Sequence, residues 1–348
     1  LRKNQNERKY RKIIIMKISL IIPTYNRSKY LTFSLPSFIN QSLDASNYEI
    51  IIVDNNSDDD TKEIVSEIMR NCRCTWKYCI ERNQGLHYAR NRGILEANSE
   101  VVVFGDDDII ASKNWLQFLF NEYSSNANAG IVGGKILPQW EQKPPKWVFD
   151  WGDEKTHVVF AYLDNGDKRL SEGKSPLFGC NFSIRKDLAI KIGGSLPDTF
   201  PKNMKHLSGS GENGMIDQIF QLGYEIVYLP DVQVFHYVNS SRMTIDYFID
   251  RYERLGIEKV YSELRTTGCY CGLIYRGFII LLNSFYRMIK SQLSPRTKIN
   301  KQYFKKIMRK YYLSQIIQSI RALCNKQLYH HIKRKNYLSE LQLKRANE

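Results

Sequence analysis

Short apolar runs that each end in a knot of polar residues recur through the first hundred positions. They constrain the fold more than any other feature of the chain. Residues 18–22 (ISLII) and 48–53 (YEIIIV) are mainly apolar and closed by turn formers, the pattern of buried parallel strands. Residues 76–80 and 101–104 read as two further strands. Between them, residues 30–41, 60–71 and 86–97 have helical spacing, and Ile64, Val65, Ile68 and Met69 share one face of the second helix. Strands and helices alternating in units of about 30 residues predict a Rossmann-like α/β fold, a mostly parallel sheet flanked by helices.

In open sheets of this kind, ligands bind beyond the carboxyl ends of the strands. The polar knots stand there. Pro23, Thr24, Tyr25, Asn26 and Arg27 follow the first run, Asp54, Asn55, Asn56 and Ser57 the second, and Asp106, Asp107 and Asp108 the fourth. Three consecutive carboxylates repel one another. A hard cation, Mg2+ or Mn2+, would offset this while completing its shell with phosphates and water. On an extended segment side chains alternate, so Asp106 and Asp108 are expected to face the ligand and Asp107 to point away. Taken alone, the triplet is better read as a solvated acidic turn or a charge at the start of a helix over residues 115–123, and it is the flanking pattern that reverses this.

Residues 133–151 contain two Gly, three Pro and three Trp (Trp140, Trp147, Trp151), which suggests a structured loop and a subdomain of mixed β character. Trp140 and Trp147 could offer an apolar platform for sugar faces or simply pack in a core. Residues 224–229 and 232–236 predict two more strands, and the pattern turns helical from Thr244.

Charge is concentrated late in the chain. Net charge is +15, and residues 276–335 hold fifteen Lys and Arg with no Asp or Glu. Such a segment suits nucleic acid or an anionic membrane surface. Phe304, Ile307, Met308, Tyr311, Ile316, Ile320 and Leu323 form an apolar stripe opposite the basic residues, with Phe285, Tyr286 and Tyr312 nearby. This favours a helix lying on a membrane, with a solvated basic face or a dimer contact as the plain alternatives. No nucleic-acid module is present by motif. No run reaches the roughly 18 apolar residues of a spanning helix. The apolar residues after the basic start are broken by Lys17 and Pro23 without a cleavage site, unlike a signal peptide. Seven cysteines, odd in number and partly in Cys-x-Cys pairs, read as reduced cytosolic thiols rather than a disulfide framework or zinc site. Together these place the protein in the cytoplasm, peripheral on the inner face of the membrane.

The segments KISLIIPTYNR, IIVDNNSDDDT, NQGLHYARNRG and VVVFGDDD are followed in order by LFGCNFSIRKD, GENGMIDQIFQLGYEIVYLPDVQVFH and SRMTIDYFIDRYERLG. This succession, over residues 17–256, closely resembles bacterial family 2 glycosyltransferases of the GT-A fold. The resemblance implies a metal-dependent transferase moving a sugar from a nucleoside-diphosphate donor, uridine above all, to a glycan or lipid-linked acceptor in cell-surface glycoconjugate synthesis. Residues 1–16 would be a basic extension and 17–243 the catalytic domain, with a nucleotide-binding half (17–110) and an acceptor half (130–243). Residues 244–348 would form the basic helical region.

By the same resemblance, Pro23, Thr24, Tyr25 and Arg27 line the nucleotide and Asp54 accepts from the base. Asn83 and Arg90 lie at and beyond the turn before the third helix, and Arg90 would meet the diphosphate as a charge-assisted donor. Asp106 goes to ribose or metal, Asp108 to the metal, and His236 is a third ligand or a buried core histidine. Family members commonly carry Gly-Glu-Asp where this chain has Gly211, Glu212 and Asn213. An amide cannot take a proton, so Glu212 is the expected base, with Asp217 in reserve one turn on. The departure leaves open a retaining enzyme or a catalytically inactive scaffold. A sugar nucleotidyltransferase is disfavoured, because no Gly-rich, Lys-bearing loop follows the first strand.

Overall fold

The structure is a computed structural model that describes residues 17–149, 156–266, 270–293 and 301–345. The N-terminal extension, Trp151 and Cys269 lie outside these residues. In chain order the strands are β1 (Ile18–Thr24), β2 (Tyr48–Asp54), β3 (Thr75–Ile80), β4 (Val101–Gly105) and β5 (Ile109–Ala111). Then come β6 (Ala129–Trp140), β7 (Thr156–His157), β8 (Tyr162–Leu163), β9 (Asn181–Arg185) and β10 (Glu225–Val238). The sheet order is β3-β2-β1-β4-β9-β6-β10-β5, with β7 and β8 attached beside β6.

The first half is parallel: β1 pairs with β2 and β4, and β2 with β3. Every residue of β1, β2 and β4 is buried, because helices cover both faces and leave no polar side to the strand. The second half is mixed. β9 runs antiparallel to β4 and β6, whereas β6 and β10 are parallel to each other. The stretch from Gly133, expected as a structured loop in a subdomain of mixed β character, is as far as Trp140 the body of the strand β6. The two strands expected over residues 224–236 are one, β10, with an irregularity between Leu229 and Val234. Gly134 fits under that irregularity because a Cβ there would lie 2.1 Å from the Val232 carbonyl oxygen.

Three long helices follow the sheet: Ile245–Arg265, Tyr270–Leu293 and Lys301–Cys324. Thr244 caps the first, its hydroxyl accepting from the Tyr247 N–H. The apolar stripe expected on Lys301–Cys324 is largely turned inward. Ile307 is fully buried with Phe248 and Val159, Tyr311 meets Tyr252 edge to face, and Leu323 packs near Gly277. Among the described residues no helix is long and apolar enough to cross a membrane.

The chain then returns to the sheet domain. Tyr337 and Leu338 join the core that contains Ile21, Leu20 and Ile94, far away in sequence. The N–H of Tyr337 donates to the Gly193 carbonyl at 2.8 Å, and its hydroxyl meets that of Tyr261 at 2.7 Å. Gly193 has φ +85, and a Cβ there would stand 2.4 Å from the Lys335 carbonyl oxygen, so the close approach requires glycine. Tyr337→Ala should therefore destabilise the whole sheet domain by about 3 kcal/mol, the usual scale for emptying a buried aromatic site. Denaturant unfolding followed by tryptophan fluorescence measures this, and an unchanged midpoint would show that the C-terminal segment is not part of the core.

Candidate active site

The carboxyl ends of β1 and β4, the start of the helix Leu86–Glu96 and the end of β10 open into one cavity of about 580 Å3. Pro23, Thr24, Tyr25, Arg27, Arg90, Asp106, Asp107, Asp108, Glu212 and His236 all line it, so the structure gathers most of the residues expected from sequence.

The acidic triplet is a turn between β4 and β5 rather than an extended segment. Alternation therefore fails, and Asp107 is turned inward. Its carboxylate accepts from the Thr24 hydroxyl at 2.8 Å and pairs with Arg27 at 2.5 Å. Burial pushes Asp107 up to about 7, opposed by Arg27 and reinforced by Asp108. For Asp108 burial acts in the same upward direction. The charges of Arg27 and Arg242 override it and hold the carboxyl well below the usual range, and His236 adds to this only when protonated. Arg27 reaches Asp108 at 2.9 Å, Arg242 at 3.5 Å and His236 Nε2 at 3.4 Å.

His236 is oriented by its other nitrogen, since Nδ1 lies 2.6 Å from the Phe160 carbonyl oxygen. A carbonyl accepts only, so Nδ1 carries the proton and Nε2 presents its lone pair to the cavity. Arg242 donates to that lone pair at 3.2 Å. An imidazole nitrogen that already accepts is one that can ligate, and Asp108 stands beside it. This donor chemistry fits a divalent ion with a shell completed by ligand oxygens. Among the described residues, however, no three His, Cys, Asp or Glu side chains close on a common point, and Asp106 is drawn towards Arg90 instead.

Arg90 is clamped between Asp106 at 3.2 Å and Asp198 at 3.0 Å, and lies over the Phe104 ring. Burial disfavours its charge, and Asp106, Asp198 and Glu212 more than restore it. The expected diphosphate donor is thus a cross-brace within the protein. Its approach depends on Gly179, where a Cβ would sit 2.6 Å from an Arg90 nitrogen. The helix that carries it opens at Gly85 (φ +139), whose N–H donates to the Asn55 side chain at 2.8 Å.

Glu212 begins the helix Gly211–Gln221 and faces the cavity. Burial and then the repulsion of Asp198 push its carboxyl up to about 7, with Arg90 pulling the other way. Asn213 is exposed and absent from the cavity lining. Asp217, the reserve base, is a correction: one and a half turns further round, it points outward and pairs with Lys174 at 2.6 Å. Trp140 is also outside the lining, packed edge to face with Phe160 and Phe149, and Trp147 packs on Phe248. Asn83 bonds Glu81 rather than facing the cavity. Asp54 is buried just behind the cavity wall, accepting from the Ser57 N–H and the Tyr78 hydroxyl, while its neighbour Asn55 reaches the lining.

Sequence reasoning overlooked Asp198, Arg242, Tyr247, Arg251 and Arg254. Arg242 and the helix after it lay in a quoted motif to which no role was attached. Asp198 lies in an irregular segment with no periodic signal at all.

A family model for glycosyl transferase family 2 matches residues 19–193, half of the chain. A glucosyl-dolichyl phosphate glucuronosyltransferase of the archaeon Haloferax volcanii is 26% identical over 72% of this chain and 78% of its own length. A poly(ribitol-phosphate) beta-N-acetylglucosaminyltransferase, TarP of Staphylococcus aureus, is 28% identical over 39% of this chain and 42% of its own. Relatives thus occur in archaea as well as bacteria. Among solved structures, mannosyltransferase PcManGT from Pyrobaculum calidifontis, in complex with GDP-Man and Mn2+, shares the fold. Its TM-score is 0.55 at 15% identity, over 89% of this chain and 88% of that one. The mixed sheet flanked by helices is of the GT-A type, and the chain belongs to glycosyl transferase family 2.

Proposed function

We propose that this glycosyltransferase moves a sugar from a nucleoside-diphosphate donor, with uridine as the base, to a hydroxyl of a glycan or lipid-linked acceptor with inversion, in cell-surface glycoconjugate synthesis. Glu212 carries the reading. It is a carboxyl pushed up to about 7, facing the same cavity as Asp106, Asp108 and His236, and so suited to abstracting a proton near neutrality. The lipid-linked acceptor draws support from the dolichyl phosphate in the name of the archaeal relative. Because Asn213 faces solvent, its inability to take a proton is no argument for an inactive scaffold.

In this mechanism Pro23, Thr24 and Tyr25 border the nucleotide, and Asp54 holds the base edge with the lone pairs its present partners leave free. Glu212 takes the proton of the acceptor hydroxyl. The acceptor oxygen then bonds to the anomeric carbon from the face opposite the diphosphate. The bond from that carbon to the diphosphate oxygen breaks, and its electron pair leaves with the nucleoside diphosphate. Arg27 and Arg242 present cations to the departing charge. A divalent cation, Mn2+ or Mg2+, held by Asp108 and His236 with Asp106 nearby, would supply further charge compensation for the leaving group.

Glu212→Gln should have two opposite effects. Turnover should fall about 1000-fold, the scale of a lost general base, with the donor KM almost unchanged. Burial places the native carboxyl above the ordinary 4.5 of the unfolded chain, so ionised Glu212 opposes folding increasingly from pH 4.5 to about 7. The glutamine variant lacks that penalty and should be more stable at pH 8 by about 1 kcal/mol, a modest gain because the side chain is partly open to solvent. Differential scanning calorimetry and transfer assays with a panel of nucleotide sugars measure both, and an unimpaired Glu212→Gln enzyme would sink the assignment of the base.

Wild-type kcat/KM should rise about tenfold per pH unit below 7 and level off above it, because only the ionised carboxylate accepts a proton. A rate that is flat across pH 5–8 would contradict this. A chelator should abolish transfer and added Mn2+ restore it. Full turnover by Asp108→Ala would remove the metal from the proposal.

A further inference from the structure

The helix Tyr270–Leu293 carries an apolar face that no other described element covers. Tyr275, Phe278, Leu282, Phe285, Tyr286 and Ile289 are all exposed, with Tyr275 at 70% and Tyr286 at 62%. At 100° per residue they fall within a sector about 100° wide, the width of the apolar stripe with which a helix normally meets a core. The opposite side is already used: Gly277, Ile280 and Ser284 are buried, with Ile280 beside Ala322 and Ser284 bonded to Gln315. Lys290 is exposed at one border of the stripe and Arg276 further round the same side, whereas Arg287 lies almost opposite the stripe, beside Tyr311.

The surrounding charge decides what kind of partner fits. Residues 276–335 contain no Asp or Glu. On the neighbouring helix Lys306 and Lys310 are paired with Asp246 and Glu253, whereas Arg276 and Lys290 form no ion pair among the described residues. A second copy of the same face would bring these cations towards one another. An anionic lipid surface would meet them with opposite charge while its acyl boundary receives the aromatic and aliphatic side chains.

We infer that the exposed face of Tyr270–Leu293 is a monotopic docking surface for an anionic lipid bilayer, with Tyr275, Phe278, Leu282, Phe285, Tyr286 and Ile289 inserted at the headgroup boundary and Arg276 and Lys290 reaching lipid phosphates. This replaces the inward-facing stripe of Lys301–Cys324 as the membrane contact. The helix packs beside Lys301–Cys324, which in turn packs on Ile245–Arg265, the helix that places Tyr247, Asp250, Arg251 and Arg254 at the cavity. Docking there would hold the cavity at a fixed height above a surface carrying a lipid-linked acceptor. Its purpose rests on the proposed acceptor class, but vesicle binding and sugar transfer are scored separately.

The test is sedimentation of the full chain with vesicles of phosphatidylcholine alone or with 40% phosphatidylglycerol. Binding should require the anionic lipid and weaken as salt is raised. Phe278→Ser with Phe285→Ser should lower the vesicle partition coefficient at least about tenfold, and Arg276→Glu with Lys290→Glu to a similar extent. Both variants should keep wild-type melting temperature and transfer to a water-soluble acceptor. Absence of binding to the anionic vesicles, or retention of full binding by the Phe278→Ser/Phe285→Ser protein, overturns the inference. A stable dimer in light scattering that these substitutions dissociate also overturns it, by assigning the face to a second copy. Vesicle binding without sugar transfer would instead refute the transferase reading and leave the docking surface standing.

Discussion

Three carboxylates in consecutive positions cannot be packed against a sheet without cations, and this requirement organises the site. Asp106, Asp107 and Asp108 meet Arg90, Arg27 and Arg242, which come from three different parts of the chain. The three arginines do not share the load evenly. Asp108, between two guanidinium groups, is held as an anion, whereas Asp107 is pushed up to about 7 in spite of Arg27. The same logic extends outward through Arg90 to Asp198 and Glu212, so the candidate base is tuned by the charge network that balances the triplet.

Such a network must be held rigidly, because a carboxylate displaced from its partner in a buried site is costly. The rigidity has a distant source. Tyr337 and Leu338 pack into the core beneath the helix Leu86–Glu96, where Arg90 resides, and the glycine pair Gly193–Gly194 makes room for them. The C-terminal helices are therefore coupled to the catalytic sheet through this return as well as through the cavity-lining residues of Ile245–Arg265.

The parallel half of the sheet was legible because β1, β2 and β4 are buried on both faces and so are mainly apolar. Each is followed by a polar knot that can only be a strand end. The residues of the knots accordingly arrive at the cavity as expected: Thr24, Arg27, Asp106 and Asp108 among them. Where the chain departs from such strong patterning, inference from sequence lost resolution. For Trp140 the sequence offered both a sugar platform and core packing, because aromatic residues among prolines suit either, and the structure ends a strand with it and packs it on Phe160. Asp217 read as a reserve base because it is on the right helix, and its azimuth carries it to Lys174 and solvent.

What the sequence by itself determined is the set of strand ends, the family and the identity of the acidic turn, since these follow from local periodicity and from motifs in a given order. Only the tertiary structure decided which charges meet. The pairing of Arg90 with Asp198, the approach of Arg242 to Asp108 and the outward turn of Asp217 depend on helix azimuths and on segments more than a hundred residues apart. The exposed face of Tyr270–Leu293 belongs to the same class. Two neighbouring basic, amphipathic helices look alike in sequence, and only packing reveals which one has spent its apolar side on the protein core.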